Sequence, residues 1–443
     1  MGMARWHARH AWVGEVCDDV LIEVEGDRIS GVVPGVAPPP DAIKLHGFTI
    51  PGLANSHSHA FHRALRGRTH RRTGDFWSWR AQMYDLAGRL EPAGYHALAR
   101  ATYAEMALAG ITAVGEFHYL HHAPNGAPYD DPNEMSEALT AAAREAGIRI
   151  TLLDTCYLQA GMRGEELEGP QVRFGDGDVQ TWMARVDSMK AGESVRTGAA
   201  IHSVRAVDAP SMKAVAGWAS EREVPLHFHV SEQPAENQQS IEVTGRTPVE
   251  LFEEAGALGD GATAVHATHL SDPDVKRLGE TATRVCMCPT TERDLADGIG
   301  PARALADAGS PLCVGTDSHA VIDIFEEPRG VELDERLARL ERNVFEPEVL
   351  FSAASEQGMR SLGWDAGRIE AGMLADFVTL NLDSVRLAGA EPDGLLEMTV
   401  FAATAADVSG VVVAGRTVVE EGRHVALPNV ALELDRAIQA LYR

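Results

Sequence analysis

The middle of the chain alternates eight short apolar runs with helical segments, and this alternation limits the fold more than any other feature. The first run is FTIPGLANSHSH, and seven follow it: ITAVGEF (111–117), IRITLLDT (148–155), GAAIHSV (198–204), VPLHFHV (224–230), ATAVHAT (262–268), TRVCMC (283–288) and SPLCVGT (310–316). The segments between them have helical spacing and several end at glycine. Strand–helix units repeated eight times predict an α/β fold, a (β/α)8 TIM-like barrel. An open doubly wound sheet is the alternative, although no GxGxxG or GxxxxGK[ST] motif follows any run.

The two ends of the chain follow a different pattern. Near the N-terminus, VLIEVEGDRISGVVPG alternates apolar and polar residues around Gly26-Asp27, and GMLADFVTLNLDS and VSGVVVAGRTVVEEG have β-branched runs near the C-terminus. We therefore predict a small β-sandwich domain built from both ends, residues 1–49 and 366–443. Residues 50–365 then form the barrel. The last stretch, ALELDRAIQALYR, has helical spacing.

Histidines and acids stand where several predicted strands end, and active sites of barrels form at these carboxyl ends. The first run ends in His57-Ser58-His59, and the two-residue period of a strand points both imidazoles in one direction. The fifth, sixth and eighth runs contribute His229 with Glu232, His266, and Asp317. Three imidazoles and one carboxylate suit a divalent zinc or iron ion with an open position for water. Each motif alone is weak, but their joint placement predicts a metal site.

The lysines indicate a single metal ion. Barrels with two metals usually bridge them with a carboxylated lysine, and this chain has four lysines: Lys44, Lys190, Lys213 and Lys276. None ends a predicted strand, and the fourth run carries His202 instead. The histidines of FHYLHH (His118, His121 and His122) could form a second metal site, but we favour a histidine-rich loop with His118 packed or hydrogen-bonded.

Four motifs resemble the amidohydrolase superfamily, specifically its mononuclear deaminase branch: HSH (57–59), HVSE (229–232), VHATHL (265–270) and GTDS (315–318). The resemblance covers essentially the whole chain. It implies that His57, His59, His229 and Asp317 bind the metal. It also implies that Glu232 shuttles protons, that His266 is a second catalytic base or polariser, and that Asp317 takes a proton from the attacking water. Metal-activated hydroxide would attack an sp² carbon, and Glu232 would protonate the leaving nitrogen.

Longer segments are similar to the formimidoylglutamate deiminases: PGLANSHSHAFHRALRG, GDFWSWRAQMY, GEFHYLHHAPNGAPY, HSVRAV, CPTTERDLADGI and GTDSHAVIDIFEE. This similarity implies that N-formimidoyl-L-glutamate is hydrolysed to N-formyl-L-glutamate and ammonia. A dicarboxylate requires fixed cations, and Arg80 and Arg205 are the candidates because an arginine fork binds carboxylates bidentately. Tyr119 and His202 match further substrate-contacting positions. His62 stands where this family usually has glutamine.

Composition restricts the partners and the compartment. The formal net charge is −26, which disfavours nucleic acid and anionic membranes as partners. No run of 18 apolar residues is present, the N-terminus lacks a signal-peptide pattern, and five scattered cysteines suit reduced thiols. We expect a cytoplasmic enzyme with a small-molecule dicarboxylate substrate, and the resemblance implies a homodimer. We predict that RALRGRTHRR (63–72) is a solvated loop face and that residues 60 to about 90 cover or build the site.

Three rival functions remain. Another mononuclear deaminase, acting on guanine, cytosine or a modified base, predicts a neutral aromatic pocket, and the two arginines argue against it. A metal-free homologue serving as a scaffold predicts gaps in the ligand set, whereas every expected ligand is present. A hydrolase of a simple amide, such as an N-acyl amino acid, is the third.

Overall fold

The computed structural model describes residues 4–70, 74 and 76–443. In chain order, its strands are β1 (Ala4–Trp12), β2 (Val16–Glu25), β3 (Arg28–Val33), β4 (Ile43–Pro51), β5 (Leu53–Ser58), β6 (Ile111–His118), β7 (Arg149–Cys156), β8 (Val195–Ile201), β9 (Leu226–Val230), β10 (Ala262–His266), β11 (Arg284–Met287), β12 (Leu312–Val314), β13 (Phe377–Leu380), β14 (Val408–Val413), β15 (Arg416–Glu420) and β16 (Arg423–His424).

The helices are α1 (Phe76–Ala87), α2 (Pro92–Leu108), α3 (Glu134–Ala146), α4 (Val179–Asp187), α5 (Ala209–Glu221), α6 (Pro234–Thr244), α7 (Pro248–Glu254), α8 (Asp272–Glu280), α9 (Pro289–Leu295), α10 (Ala302–Ala308), α11 (Glu326–Arg339), α12 (Pro347–Ala354), α13 (Glu356–Ser361), α14 (Leu395–Phe401) and α15 (Val430–Leu441). Among the described residues, no helix combines the length and the apolar character that crossing a bilayer requires.

The predicted barrel is confirmed. Strands β5 to β12 form one parallel sheet in which each strand lies beside the next in sequence, and each of the eight apolar runs overlaps one of them. The sheet closes between its first and last strands, where the Asp317 amide donates to the His57 carbonyl (3.0 Å) and the His59 amide donates to the Asp317 carbonyl (3.2 Å). The seam that closes the barrel therefore runs through three of the predicted site residues.

The first apolar run holds two strands, which corrects the prediction of a single opening strand. FTIPGLANSHSH contains the end of β4, which belongs to the other sheet, and all of β5. Gly52 separates them, and a Cβ atom there would lie 2.3 Å from Thr112 Oγ1 and 2.9 Å from the Cβ of Asp376. Only glycine lets the chain pass this closely as it changes sheets.

Both chain ends build the second sheet, as predicted. Its order is β16-β15-β14-β13-β4-β1-β2-β3, one continuous ladder of eight strands, with the β2–β3 hairpin turning at Gly26-Asp27. The Trp6 and Phe377 rings pack edge to face, 5.4 Å apart, in its core. Helix α14 lies within the C-terminal part and was not predicted. The division at 49/50 and 365/366 stays a prediction, and β4 continues to Pro51.

Within residues 63–70, the described part of the arginine-rich segment 63–72, the arginines do not form the solvated face that we predicted. Arg63 and Arg66 both pair with Glu105 of α2, at 2.8 and 3.3 Å, and Arg68 lies 3.9 Å from the Tyr442 ring centroid. The acidic partner explains the difference, because it draws both guanidinium groups onto the protein. Arg71 and Arg72 lie outside the described residues.

The cysteines follow the prediction of packed thiols. Cys286 and Cys288 are buried with Cys313 and Val265 in a small cluster beside the barrel strands. All five cysteines are free.

Candidate metal centre and substrate pocket

The barrel seam sets the position of the first histidine pair. A Cβ atom at Gly315 would lie 2.8 Å from the backbone of His57, so glycine is needed for the segment after β12 to pack against β5. The rings of His57 and His59 point to the same side with centroids 4.7 Å apart, as the two-residue period predicts. Asp317 reaches them from across the seam.

The spacing of the donor atoms fits one metal ion. His57 Nε2 lies 3.1 Å from His229 Nε2, and Asp317 Oδ1 lies 3.5 Å from the Nε2 atoms of both His57 and His59. Ligands about 2.1 Å from a tetrahedral zinc stand about 3.4 Å from one another, which these separations approach. The same donor atoms form two of the clusters that could hold an ion, His57/His59/Asp317 and His57/His229/His266.

Backbone carbonyls fix the tautomers of two of these histidines. His59 Nδ1 donates to the Phe117 carbonyl and His229 Nδ1 donates to the His202 carbonyl, both at 2.9 Å. Each Nε2 therefore carries a lone pair directed into the site, as a metal ligand requires. Burial lowers the pKa of His57, His59 and His229 well below 6.5, so these imidazoles are neutral. The residues present thus fit a divalent cation.

Backbone strain is concentrated at this mouth of the barrel. Ser231, His266 and Asp317 have φ angles of 54°, 68° and 41°, a left-handed region that non-glycine residues adopt at a cost of about 1–3 kcal/mol each. All three stand at or just beyond strand ends. The fold therefore holds the side chains of His266 and Asp317 in positions that an unstrained strand would not give them.

Two carboxylates face the histidine cluster. Glu232 Oε1 and Asp317 Oδ2 each lie 3.8 Å from His266 Nε2, and Glu292 Oε1 lies 3.4 Å from His266 Nδ1. Burial raises the pKa of Glu232 to about 7, and His266 opposes this shift. Burial alone would lower the pKa of His266, but the surrounding carboxylates, first Glu232, outweigh it and raise the pKa well above 6.5. Glu232 can therefore gain and lose a proton near neutral pH.

One pocket brings the predicted site residues together. It is lined by His59, His62, Arg80, Tyr119, His202, Arg205, His229, Glu232, His266 and Asp317. His57 lies behind them and is fully buried. The structure thus gathers residues from α1 and from six strand ends around one cavity, and it separates none of the predicted set from the rest.

The two arginines differ in how they are compensated. Within the described residues, no carboxylate lies at salt-bridge distance from Arg80, whose Nε donates to the Tyr84 hydroxyl at 2.7 Å. Arg205 has one acidic neighbour, Glu236, at 4.0 Å, and Glu236 also accepts from the Ser231 amide at 3.1 Å. Arg80 therefore brings to the pocket a positive charge that no carboxylate among the described residues compensates, which favours a bound anion.

Several lining residues were not predicted individually, although the first four lie within residues 60 to about 90, the segment predicted to cover or build the site: Phe76, Trp79, Met83, Tyr84, Tyr157, Phe174 and Leu295. Tyr157 directly follows β7, so the strand-end rule could have found it. Tyr84 lies four residues after Arg80 on α1, a spacing that places both side chains on one helix face. Phe174 comes from the long segment after β7, and no sequence pattern indicated that it would line the pocket.

The histidines of FHYLHH lie outside the pocket. His118 is fully buried and its ring centroid lies 6.0 Å from that of Tyr95 on α2, which agrees with the packed histidine that we favoured. Donor atoms of His118, His121 and Asp154 do lie within 4.8 Å of one another. However, Arg185 donates to both oxygens of Asp154 at 2.8 Å, so its carboxylate is already engaged.

Comparison with known proteins identifies the family. The model of the amidohydrolase family matches residues 48–418. The chain belongs to the amidohydrolase family. It is 35% identical to a formimidoylglutamate deiminase of Pseudomonas aeruginosa over 92% of each chain. It is 29% identical to a 5-methylthioadenosine/S-adenosylhomocysteine deaminase of Natronomonas pharaonis, over 84% of this chain and 81% of that protein.

A solved structure extends the similarity to the whole fold. The crystal structure of an amidohydrolase from Brucella melitensis superposes with a TM-score of 0.89 at 32% identity, covering 99% of this chain and 100% of that one. Family membership makes the protein a hydrolase of carbon–nitrogen bonds, with deaminases among its relatives. The expected class of reaction is confirmed.

Proposed function

We propose that the protein hydrolyses N-formimidoyl-L-glutamate to N-formyl-L-glutamate and ammonia. The observation that carries this proposal is the guanidinium of Arg80, which shares one pocket with Glu232, His266 and Asp317 and has no carboxylate partner among the described residues. A pocket that offers an uncompensated cation beside a hydrolytic centre suits an anionic substrate. The 35% identity to a formimidoylglutamate deiminase supports the same substrate.

We propose one divalent cation, held by His57, His59, His229 and Asp317. Zinc is our first choice and iron(II) the alternative, because both accept three imidazoles and one carboxylate. When bound, such a cation supplies the Lewis acidity that makes water nucleophilic near neutral pH. Metal analysis of the purified protein should give one equivalent per chain, and chelation should abolish activity. Restoration with zinc alone or with iron alone then identifies the ion.

The proposed chemistry divides proton transfer between two carboxylates. Asp317 accepts a proton from the attacking water, and the new C–O bond converts the formimidoyl carbon to a tetrahedral centre. Protonated Glu232, whose pKa is raised to about 7, gives its proton to the terminal imine nitrogen as the C–O bond forms, which makes that nitrogen an amino group. The proton held by Asp317 then passes to the amino group, the hydroxyl proton of the tetrahedral centre returns to Glu232, the C=O bond forms, the C–N bond breaks, and ammonia leaves. Charged His266 faces the same cluster and stabilises the negative charge that develops on the attacking oxygen.

The predicted residues that neither bind the metal nor transfer protons are proposed to bind the substrate. We propose that Arg80 and Arg205 bind the two carboxylates and that His62, Tyr119 and His202 complete the contacts. The His62 ring and the Tyr119 hydroxyl already meet at 3.2 Å, and His202 Nδ1 lies 3.2 Å from Ser203 Oγ. These contacts hold the side chains in fixed orientations before substrate arrives, which lowers the entropic cost of binding.

Deamination of a nucleobase or nucleoside is the second candidate, because aromatic rings also line the pocket: Phe76, Trp79, Tyr84, Tyr119, Tyr157 and Phe174. The deciding experiment measures ammonia release by metal-replete protein from N-formimidoyl-L-glutamate, guanine, cytosine, 5′-methylthioadenosine and an N-acyl amino acid. We expect turnover of the formimidoyl compound alone. Activity on a base alone would retain the metal site but exclude the roles given to Arg80 and Arg205.

Assembly and compartment are also proposals. We propose a homodimer in the cytoplasm, with the small dicarboxylate as its ligand and with neither nucleic acid nor membrane as a partner. The net charge of −26 and the five free cysteines support this setting. Light scattering on the purified protein should give twice the chain mass of 47.6 kDa.

A further inference from the structure

Arg80 and Tyr84 form a pair on the pocket side of α1. They stand one helical turn apart, and Arg80 Nε donates to the Tyr84 hydroxyl at 2.7 Å. The guanidinium carbon lies 4.9 Å from the centroid of the Tyr84 ring and 5.6 Å from that of Trp77. The arginine is thus held by a neutral hydroxyl and by aromatic faces, and in the part of the chain that the structure describes no carboxylate compensates its charge.

Other basic residues of this chain have a carboxylate, not a tyrosine, as their partner four residues away. Arg89 donates to Asp85 at 2.5 Å, Lys276 lies 3.5 Å from Glu280, and Arg336 lies 2.6 Å from Glu332. In each of these pairs a carboxylate four residues away neutralises the cation. A tyrosine at the corresponding position keeps the orienting hydrogen bond but adds no negative charge, so an arriving anion meets no like charge.

Tyr84 is itself fixed by a different part of the chain. Its ring packs against Phe174 with centroids 5.8 Å apart, and its hydroxyl is hydrogen-bonded to that of Tyr157. Tyr157 in turn accepts from Gln171 Nε2 at 2.8 Å. Tyr84 therefore connects α1 to the segment after β7. The orientation of Arg80 depends on these contacts of Tyr84.

The hydrogen bond to Tyr84 also determines which edge of Arg80 is free. A guanidinium has five N–H donors, and Tyr84 occupies the one on Nε. Tyr157 is a second hydrogen-bonding neighbour of Arg80, and the N–H donors that the two hydroxyls leave free can bind the oxygens of a carboxylate. Loss of the Tyr84 hydroxyl would let the guanidinium rotate, and its free N–H donors would no longer be held in one orientation.

We propose that Tyr84 is a positioning residue that makes the pocket selective for a substrate carboxylate, by holding Arg80 oriented and unneutralised. This inference rests on the proposed function, because it concerns the carboxylate that Arg80 would bind. Tyr84 acts through Arg80 and takes no part in the bond-breaking steps.

The test compares Tyr84→Phe with the unaltered protein on N-formimidoyl-L-glutamate. We expect KM to rise about ten-fold, the typical effect of losing a hydrogen bond to a charged group, while kcat stays within about two-fold. Tyr129→Phe is the matched control, because it removes a hydroxyl that bonds Glu91 at 2.7 Å outside the pocket. Its KM should not change. Equal KM values for Tyr84→Phe and the unaltered protein would overturn the inference.

Two monocarboxylate substrates sharpen the test: N-formimidoyl-4-aminobutyrate and N-formimidoyl-2-aminobutyrate, each lacking a different carboxylate of the glutamate compound. We expect Tyr84→Phe to raise KM for the one that retains the carboxylate bound by Arg80 and to leave the other unaffected. An equal rise for both would mean a general loosening of the pocket and would overturn the inference.

A double-mutant cycle separates action through Arg80 from direct contact with substrate. If Tyr84 acts through Arg80, then Tyr84→Phe adds no further rise in KM once Arg80→Met is present. Additive effects would contradict the proposed mechanism. Calorimetry of N-formyl-L-glutamate binding to the same four proteins measures the coupling between Tyr84 and Arg80 in Kd, without turnover. If the unaltered protein neither turns over the formimidoyl compound nor binds this product, the proposed function fails, which differs from failure of the Tyr84 inference alone.

Discussion

Two histidine–carboxylate clusters lie at the same end of the barrel, and they differ in how their polar atoms are satisfied. The pocket cluster consists of His57, His59, His229, His266, Glu232 and Asp317, whose donor atoms converge on one another around a cavity. The outer cluster consists of His118, His121, His122, Asp154, Asp176 and Arg185, which lie outside the pocket lining.

In the outer cluster, one arginine satisfies two buried acids. Arg185 makes five hydrogen bonds, as many as it has N–H donors: four to Asp154 and Asp176 at 2.8–2.9 Å, and one to Asn133 at 3.3 Å. Burial alone would raise the pKa of Asp154, but Arg185 outweighs that effect and lowers it. These charges bind each other and leave little capacity for a ligand.

In the pocket cluster, the protein's own contacts leave the inward-facing atoms unsatisfied. The Nδ1 atoms of His59 and His229 are bonded to carbonyls, yet both Nε2 atoms face the carboxylate of Asp317 or another imidazole. Arg80 likewise has an aromatic and hydroxyl environment in place of an acid. The comparison separates the clusters by their acids and by their access to a cavity, because both ring nitrogens of His118 in the outer cluster are also buried without a hydrogen-bond partner. Arg185 saturates the two outer carboxylates, whereas Glu232 and Asp317 of the pocket cluster face a cavity.

The largest expected effect is on catalysis in the pocket cluster. Glu232→Gln keeps the side-chain shape but removes the proton carrier, so kcat should fall about 10³-fold, within the range for a general acid–base residue. Steady-state ammonia release measures it, and metal content should stay at that of the unaltered protein. Glu242→Gln, at an exposed residue paired with Arg163, is the control and should keep full activity. A loss of only a few-fold would contradict the role of Glu232.

The outer cluster should respond in stability instead. Arg185→Met leaves two buried carboxylates without their partner, so the free energy of unfolding should fall by about 3–5 kcal/mol. Urea denaturation measures the change, and kcat and KM of the folded enzyme should stay unchanged, because no outer-cluster residue lines the pocket. Arg163→Met breaks an exposed pair with Glu242 and should cost less than about 1 kcal/mol. An inactive but fully stable Arg185→Met protein would reverse the assignment of the two clusters.

Substrate affinity should depend on the uncompensated arginine. Arg80→Met removes a bidentate, charge-assisted contact, and KM for N-formimidoyl-L-glutamate should rise about 100-fold with a smaller change in kcat. Arg89→Met, just beyond α1, breaks an exposed pair with Asp85 and should leave KM unaltered. Similar KM values for the two variants would remove Arg80 from substrate binding.

The sequence predicted those parts of the molecule that follow from local periodicity. Each apolar run overlapped a barrel strand, and the strand-end rule placed His59, Glu232 and Asp317 in one pocket. The parts that it did not predict depend on long-range packing. The change of sheet at Gly52 depends on Thr112 and Asp376, and the pairing of Arg63 depends on Glu105 of α2.

The smallest expected effect is at His62, a position where the resemblance to the formimidoylglutamate deiminases implies glutamine. His62 is buried, its Nε2 lies 3.2 Å from the Tyr119 hydroxyl, and its ring packs edge to face on Trp79 at 5.1 Å. Burial lowers its pKa well below 6.5, so the neutral ring can exchange one hydrogen bond with Tyr119 or with substrate, as a glutamine amide can.

His62→Gln should therefore leave kcat nearly unchanged and change KM by about three-fold, the effect of altering one neutral hydrogen bond. Initial rates across a range of N-formimidoyl-L-glutamate concentrations separate the two constants. His62 also stacks near His59, with ring centroids 4.6 Å apart. A hundred-fold loss of kcat, of the size expected for an acid–base residue, would therefore move His62 from substrate binding to support of the metal site, and a parallel loss of bound metal would confirm that reassignment.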